Sequence, residues 1–379
     1  MKKLIFILFT ISLSFSCYTQ ISNLKEKFIL PDEVKETSGL IFYNNKIITH
    51  NDSGDTANLY EIDSLSGNVT RTITINNASH IDWEDITQDD THIFVADIGN
   101  NNGNRTDLKI YKILKDDYKN SISITAEIIT FSYEDQTNFN SSNTHNFDSE
   151  AIVVYQNNLL IFTKNRGNLK TNVYLIPKSA GNYSATKVST YNVEGLITGA
   201  TYNSSDNSFM LSGYTSALFP FLIYVDHNRN TGNDIFNNGA EKIDLTQQIG
   251  QGSQIEGITA FHQDKYYLSR EEVSSNGLHF PQKLYEFKSD FWSLLSVDKN
   301  SFSNKIKLFP NPTNKLITIN YPKKEIIHQI EVFNPLGKKV STIKTNKSTL
   351  DLSSFSSGTY FIKVKFKSKR SSLKKIIKF

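Results

Sequence analysis

Apolar and polar residues alternate along most of the chain, and no stretch holds a sustained 3.6-residue period. Val, Ile, Tyr, Phe and Thr recur in runs of five to seven positions, broken by Asn, Asp, Gly and Ser, which is the pattern of strands joined by polar turns. The alternation comes in sets. A short motif opens a strand at Ser38-Gly39-Leu40, Glu84-Asp85-Ile86, Glu150-Ala151-Ile152, Thr198-Gly199-Ala200 and Glu256-Gly257-Ile258. Each is followed by a second apolar strand ("NKIITHND", "HIFVADIG", "NLLIFTKN", "NSFMLSGY", "DKYYLSRE") and usually by a third ending near a Tyr ("NLYEID", "KIYKIL", "NVYLIP", "FLIYVD", "KLYEFK"). The motifs are spaced by 46, 66, 48 and 58 residues. Fixed-order repeats of three to four strands at such a period predict an all-β, five-bladed β-propeller over residues 25–298, with "FILPDE" supplying the closing strand.

In that arrangement the first strand of each blade lines the central channel, so equivalent positions converge on one axis. The expectation is a ring of Ser38, Glu84, Glu150, Thr198 and Glu256. Three carboxylates in a narrow channel repel one another and call for a cation. An oxygen-only donor set with no His and no Cys favours a hard ion, Ca²⁺ rather than Zn²⁺. Asp82 and Asp85 are further expected to lie off the axis when Glu84 points inward, Asp85 because neighbouring residues of a strand face opposite sides. The second strands run back to the same mouth and end in Asn51 and Asp52, Asp97, Asn100 and Arg105, Lys164 and Arg166, Tyr214, and Arg270 with Glu271. A phosphorylated substrate would there meet Asp52 or Glu271 as base, with Asp97, Arg105, Lys164 and Arg270 as binding groups. The alternative is a propeller that binds glycans or proteins and catalyses nothing.

Charge divides the chain. Residues 299–379 hold 18 Lys and Arg against three acids, a balance of +15, whereas 1–298 hold 23 against 35, or −12. The tail's lysines alternate with apolar residues ("YFIKVKFKSK"), as on the wet face of a strand, so no nucleic-acid partner is expected. The first twenty residues, "MKKLIFILFTISLSFSCYTQ", read as a secretory signal peptide. Cys17 is the only cysteine, which excludes a disulfide framework; Phe15 makes its surroundings a poor lipidation signal. His80, His92, His145, His227, His262 and His279 show no ligand spacing and are expected at the surface, and Trp83 is expected in blade packing. The stretch 226–241, "DHNRNTGNDIFNNGAE", places Gly232 one position late for an EF-hand and reads as an Asn-rich loop. No P-loop, nucleophile elbow or zinc signature occurs, and a monomer is expected.

Two resemblances add to this. "IKLFPNPTNKLITINY", "IEVFNPLGKKV", "DLSSFSSGTYFIKV" and "LKKIIKF" resemble, in order, the C-terminal sorting domain of type IX secretion cargo over about 305–379. The resemblance implies a small β-sandwich that engages the type IX machinery and carries the protein through the periplasm to the outer-membrane surface or the extracellular space. The body, through Ser-Gly-Leu in the first set, "NNKIITHNDSGDTANLYEID", Glu-Gly-Ile in the last and "YYLSREE", resembles the calcium-activated nucleotidases. That family's ring is Ser, Glu, Glu, Ser, Glu, and Thr198 stands in the fourth place here. "HNDSGD" departs from the family's acidic pair followed by Arg.

Overall fold

The computed structural model describes residues 21–228, 232–275, 278–289, 306–335, 338–368 and 371–379. The signal-peptide and Cys17 expectations, residues 290–298 of the predicted body, residues 229–231 of the Asn-rich loop and Leu336-Gly337 of "IEVFNPLGKKV" lie outside them. The chain divides into two compact units, 1–290 and 291–379.

The first unit is built of antiparallel strands that follow the repeated motifs closely. Its five motif strands, called here the first to fifth inner strands, are Thr37–Tyr43, Trp83–Gln88, Ser149–Tyr155, Leu196–Asn203 and Ile255–His262. Each pairs with the strand after it, and in the first four sets that one pairs with the next; in the fifth, Lys265–Arg270 pairs with Lys283–Ser289 past a separate hairpin of Val273–Ser275 and Leu278–Phe280, so every set is ordered outward from its inner strand. The second and third sets join through parallel pairing of Glu127–Tyr133 with Gly181–Tyr191, giving one eight-stranded sheet. The fifth set takes its outermost strand from the beginning of the unit: Ile21–Ile29 pairs antiparallel with Lys283–Ser289. The closing strand thus begins seven residues ahead of the "FILPDE" segment expected to supply it.

Successive inner strands lie against one another, and the fifth against the first. Glycine permits this approach: a Cβ on Gly257 would sit 2.2 Å from Ser38 O, and one on Gly199 2.2 Å from Glu256 O. Between neighbouring sets the outward faces pack as separate apolar clusters, one around Ile48, Trp83, Ile93 and Tyr111, another around Phe94, Ile110, Ile161 and Tyr174. Trp83 is fully buried, as expected.

The second unit has a three-stranded sheet (Lys307–Phe309, Leu316–Asn320, Thr349–Asp351) and a four-stranded one ordered Lys339–Lys344, Ile327–Phe333, Gly358–Phe366, Ser371–Lys378. Both feed one core that includes Ile317, Ile319, Ile330, Val332, Leu350, Ile362 and Val364. Ile362, Val364 and Phe366 are buried while Lys363 and Lys365 are only half-buried, the alternation read from the sequence.

Candidate functional site

Every inner strand departs from regular pairing at the same place. Register shifts fall between Thr37 and Leu40, Trp83 and Asp85, Ser149 and Ala151, Ile197 and Gly199, and Ile255 and Ile258. The residues skipped are Ser38 with Gly39, Glu84, Glu150, Thr198, and Glu256 with Gly257. A bulge frees one residue from the ladder and re-aims the side chains beside it, so the motif residues are the ones released from strict alternation. The expectation for Asp82 is overturned: its carboxylate joins that of Glu84, and residues two apart on a strand share a face, so alternation itself places them together; Asp85 lies outside the groups that Glu84 joins.

The carboxylates gather into two overlapping groups. Oxygen atoms of Asp52, Asp82 and Glu84 lie within 4.8 Å of one another, as do those of Glu84, Asp148 and Glu150. Glu84 belongs to both. Asp148 takes the Asn100 backbone N–H at 2.7 Å and the Arg166 Nε at 3.2 Å, which fixes its orientation. Lys164 Nζ sits 2.7 Å from Glu150 Oε2, both groups buried. Burial and then the neighbouring Glu150 charge push Glu84 well above the usual carboxylate range. The same two causes raise Asp148 to about 6 and Asp52 to about 9. Asp52 Oδ1 is buried with no hydrogen-bond partner. Glu256 is also pushed well above its ordinary value by burial, and Glu271, bonded to the Gln254 side chain, up to about 7.

The two hydroxyls of the expected ring act as clasps. Ser38 Oγ donates to Glu84 O, and Thr198 Oγ1 donates to Ile255 O at 2.6 Å, each tying one inner strand to the next. Asp85 is fully buried and spans strands: its carboxylate accepts from Ile86 N at 2.8 Å and Ile152 N at 2.9 Å, and interacts with the Ala200 amide.

The basic groups expected to meet phosphate oxygens already have partners. Arg105 donates to Asp97 Oδ1 at 2.8 Å and to Gly99 O at 2.8 Å, and its Nε meets Asp107 at 3.0 Å. Arg270 donates to Pro281 O at 2.7 and 3.1 Å and to Ser253 Oγ at 3.3 Å, stapling the loop ahead of Lys283. Lys164 is held by Glu150. Burial and the neighbouring carboxylates favour the protonated form of Asp52, which suits an acid rather than the base expected of it. Of the histidines expected at the surface, His227 is buried and bonded to Tyr155 Oη at 2.8 Å. Asp148 escaped the sequence reading, although "DSE" repeats the Asp-x-Glu spacing of "DWE" at the corresponding place of the next set.

Residues 307–378 match the model of the secretion system C-terminal sorting domain. The chain is therefore type IX secretion cargo, exported to the cell surface or the extracellular space. No helix among the described residues is long and apolar enough to cross a membrane. No curated protein matches the chain. Among solved structures it is similar to PorZ, a surface component of the type IX system of Porphyromonas gingivalis, at 12% identity and TM-score 0.37, over 90% of this chain and 45% of that one. It is also similar to Myxococcus xanthus glutaminyl cyclase at 11% identity and TM-score 0.39, over 70% and 95%. A third likeness is to the extracellular domain of BT4673 from B. thetaiotaomicron, at 12% and 0.33, over 95% and 60%. The chain spans less than half the length of PorZ. These distant likenesses carry nothing about the site, and the nucleotidase resemblance receives no support from them.

Proposed function

We propose that the exported body is a five-bladed β-propeller whose bulged inner-strand ends hold a calcium ion and present it as part of a binding surface. The observation that carries the reading is the overlap of two carboxylate triads at Glu84 beside the unpartnered buried oxygen of Asp52. Calcium takes roughly six to eight oxygens in adaptable geometry. Asp52, Asp82, Glu84, Asp148 and Glu150 supply oxygen donors alone, and burial, followed by like-charge crowding, raises four of them, Asp52, Asp82, Glu84 and Asp148. A divalent ion would replace the protons they otherwise retain. Ser38 and Thr198 would act on the ion indirectly, by fixing the strands that bear the carboxylates, and Glu256 would border it. Lys164, bonded to Glu150, would limit how much further positive charge the mouth accepts.

Catalysis is the less favoured reading. A phosphohydrolase needs cationic groups free for phosphate oxygens, and Arg105, Lys164 and Arg270 are engaged. Its support is Asp52 and Glu271, whose different proton affinities form an acid–base pair. Calorimetric titration of the purified protein with Ca²⁺, repeated with Glu84→Gln, tests the ion. Heat of binding in the parent and its loss in the variant is expected, and absence of binding in the parent overturns the reading. A screen against nucleotides, phosphate esters and glycans with and without Ca²⁺ separates binding from hydrolysis.

A further inference from the structure

Past the bulges, the five inner strands line up row by row. Three residues beyond the motif residue stand Ile41, Thr87, Val153, Thr201 and Thr259, and four beyond it Phe42, Gln88, Val154, Tyr202 and Ala260. All but Phe42 border a cavity of about 330 Å³. It lies roughly 10 Å along the strands from the carboxylates. Its rim carries Asp90, Gln156 and Ser204, all exposed.

Antiparallel partners alternate between pairs that exchange backbone hydrogen bonds and pairs that do not. The second row is of the latter kind. Val154 N donates to Thr87 Oγ1 at 3.3 Å and Ala260 N to Thr201 Oγ1 at 3.4 Å, each a hydroxyl one inner strand back, and Phe42 O accepts from Gln88 Nε2 at 2.9 Å. The same row position turns the N–H and C=O groups of Gln88 and Tyr202 toward the cavity, but the inner strand before each carries Ile41 or Val153 where an accepting hydroxyl would be needed. Thr87 and Thr201, having accepted an amide, keep their own hydroxyl protons to give. Open N–H, C=O and O–H groups thus stand among apolar side chains. The ion pair at the cavity is closed: Asp89 Oδ2 meets Lys178 Nζ at 2.8 Å, while Oδ1 takes the Thr91 and His92 amides at 2.8 and 2.7 Å. Among the described residues Lys178 is the only cation bordering the space.

We propose that this cavity binds one uncharged sugar ring. Donors and acceptors alternate along its strand edges, and a hydroxyl can answer both. An ammonium only donates and would leave the N–H groups unmet; a carboxylate only accepts, would leave the C=O groups unmet and would face Asp90. Ile41, Val153, Ala200 and Ala260 meet the C–H faces of the ring, and a volume at the lower end for small-ligand pockets suits a single ring. The site needs only the ring of inner strands and does not depend on the ion proposed at Glu84.

Ligand-observed NMR on the full chain with glucose, galactose, mannose and N-acetylglucosamine, in chelator and in millimolar Ca²⁺, tests this, with glucosamine and glucuronate as charged controls. Binding of at least one neutral sugar is expected, of similar strength in both conditions and tighter than the charged forms by about tenfold or more. Ser204→Trp places a large ring on an exposed rim position and should weaken binding by a comparable factor without lowering the melting temperature. Val153→Thr supplies the hydroxyl that the Tyr202 amide lacks; it should also weaken binding, with the melting temperature unchanged or higher. No binding of any of the four sugars overturns the proposal and leaves the space to water. Equal binding of the charged forms, binding that appears only with Ca²⁺, or unchanged affinity in either variant overturns it as well. None of these failures touches the calcium titration.

Discussion

The bulged strand ends of the body and the strand Ile327–Phe333 of the sorting unit both hold buried carboxylates, and they treat them in opposite ways. In the sorting unit Glu331 is buried on Ile327–Phe333 and met by Lys365 at 3.1 Å and Lys339 at 3.4 Å from flanking strands, and its pKa is lowered. Those lysines come from diagonal positions, Lys365 pairing with Gln329 and Lys339 with Phe333, each two residues from Glu331. In the body, bulges turn Glu84 and Glu150 toward Asp52, Asp82 and Asp148, Lys164 is one of few cations in reach, and the pKa values rise. One region completes its own charge balance; the other leaves it open to something from outside.

The largest test separates the two regions. Deleting residues 305–379 should abolish extracellular yield, while the remaining body keeps its calcium-dependent melting shift. Normal secretion of the truncated protein would break the division of labour.

Next in size is Asp85, a buried carboxylate of the body held by backbone amides. Asp85→Ala removes the acceptor for the Ile86 and Ile152 amides, and an unsatisfied buried amide costs about 1–3 kcal/mol. A loss of roughly 3 kcal/mol in urea denaturation is expected. A loss under 1 kcal/mol would show that Asp85 does not tie the inner strands together.

Calcium at about a hundred times its dissociation constant should raise stability by about 2.7 kcal/mol, seen as a higher melting temperature. Glu84→Gln should remove most of that gain and Glu331→Gln none of it.

The pH dependence should have opposite signs in the two regions. Asp148, Glu271 and Asp52, raised to about 6, 7 and 9, keep protons in the folded state that the unfolded chain gives up near pH 4. Their contribution to metal-free stability is therefore highest below about pH 4 and declines as pH rises toward about 9. In chelator the body should melt earlier at about pH 8.5 than at pH 5, and Ca²⁺ should flatten the slope. Glu331, with its lowered pKa, contributes stability above its unfolded value and loses it as pH falls through the folded one. The smallest effect is Glu331→Gln at neutral pH, about 1 kcal/mol or less for a partly exposed pair.

These contrasts explain what the sequence disclosed. The tail was legible where a strand keeps period two, as Gly358–Phe366 does, so burial of Ile362 and Val364 follows from spacing alone. The five motif sets were legible as strands for the same reason, and the nomination of Glu84, Glu150 and Glu256 as buried positions followed from their place in each set. What stayed hidden depends on contacts between sets. Asp82 was assigned away from Glu84 although residues two apart on a strand share a face, and what joins them to Asp52 is a neighbouring set. Clasping by Ser38 and Thr198 depends on carbonyls 46 and 57 residues away, which no local pattern announces. The engagement of Arg270 by Pro281 O likewise appears only once the loop is folded back.

The strand Ile21–Ile29 closes the last sheet, and its Lys27 meets Glu286 across a sequence separation of 259 residues. The earliest strand of the body therefore waits for the latest before either is complete. Contacts of such long range slow folding, so a chain emerging from synthesis or from a translocation pore holds an unpaired strand until residue 289 has passed. Little of the chain then separates that moment from the emergence of the sorting unit. The body would reach its native state about when its export address becomes readable, a kinetic coupling that leaves a long unfolded interval in which the chain is still thin enough to be threaded.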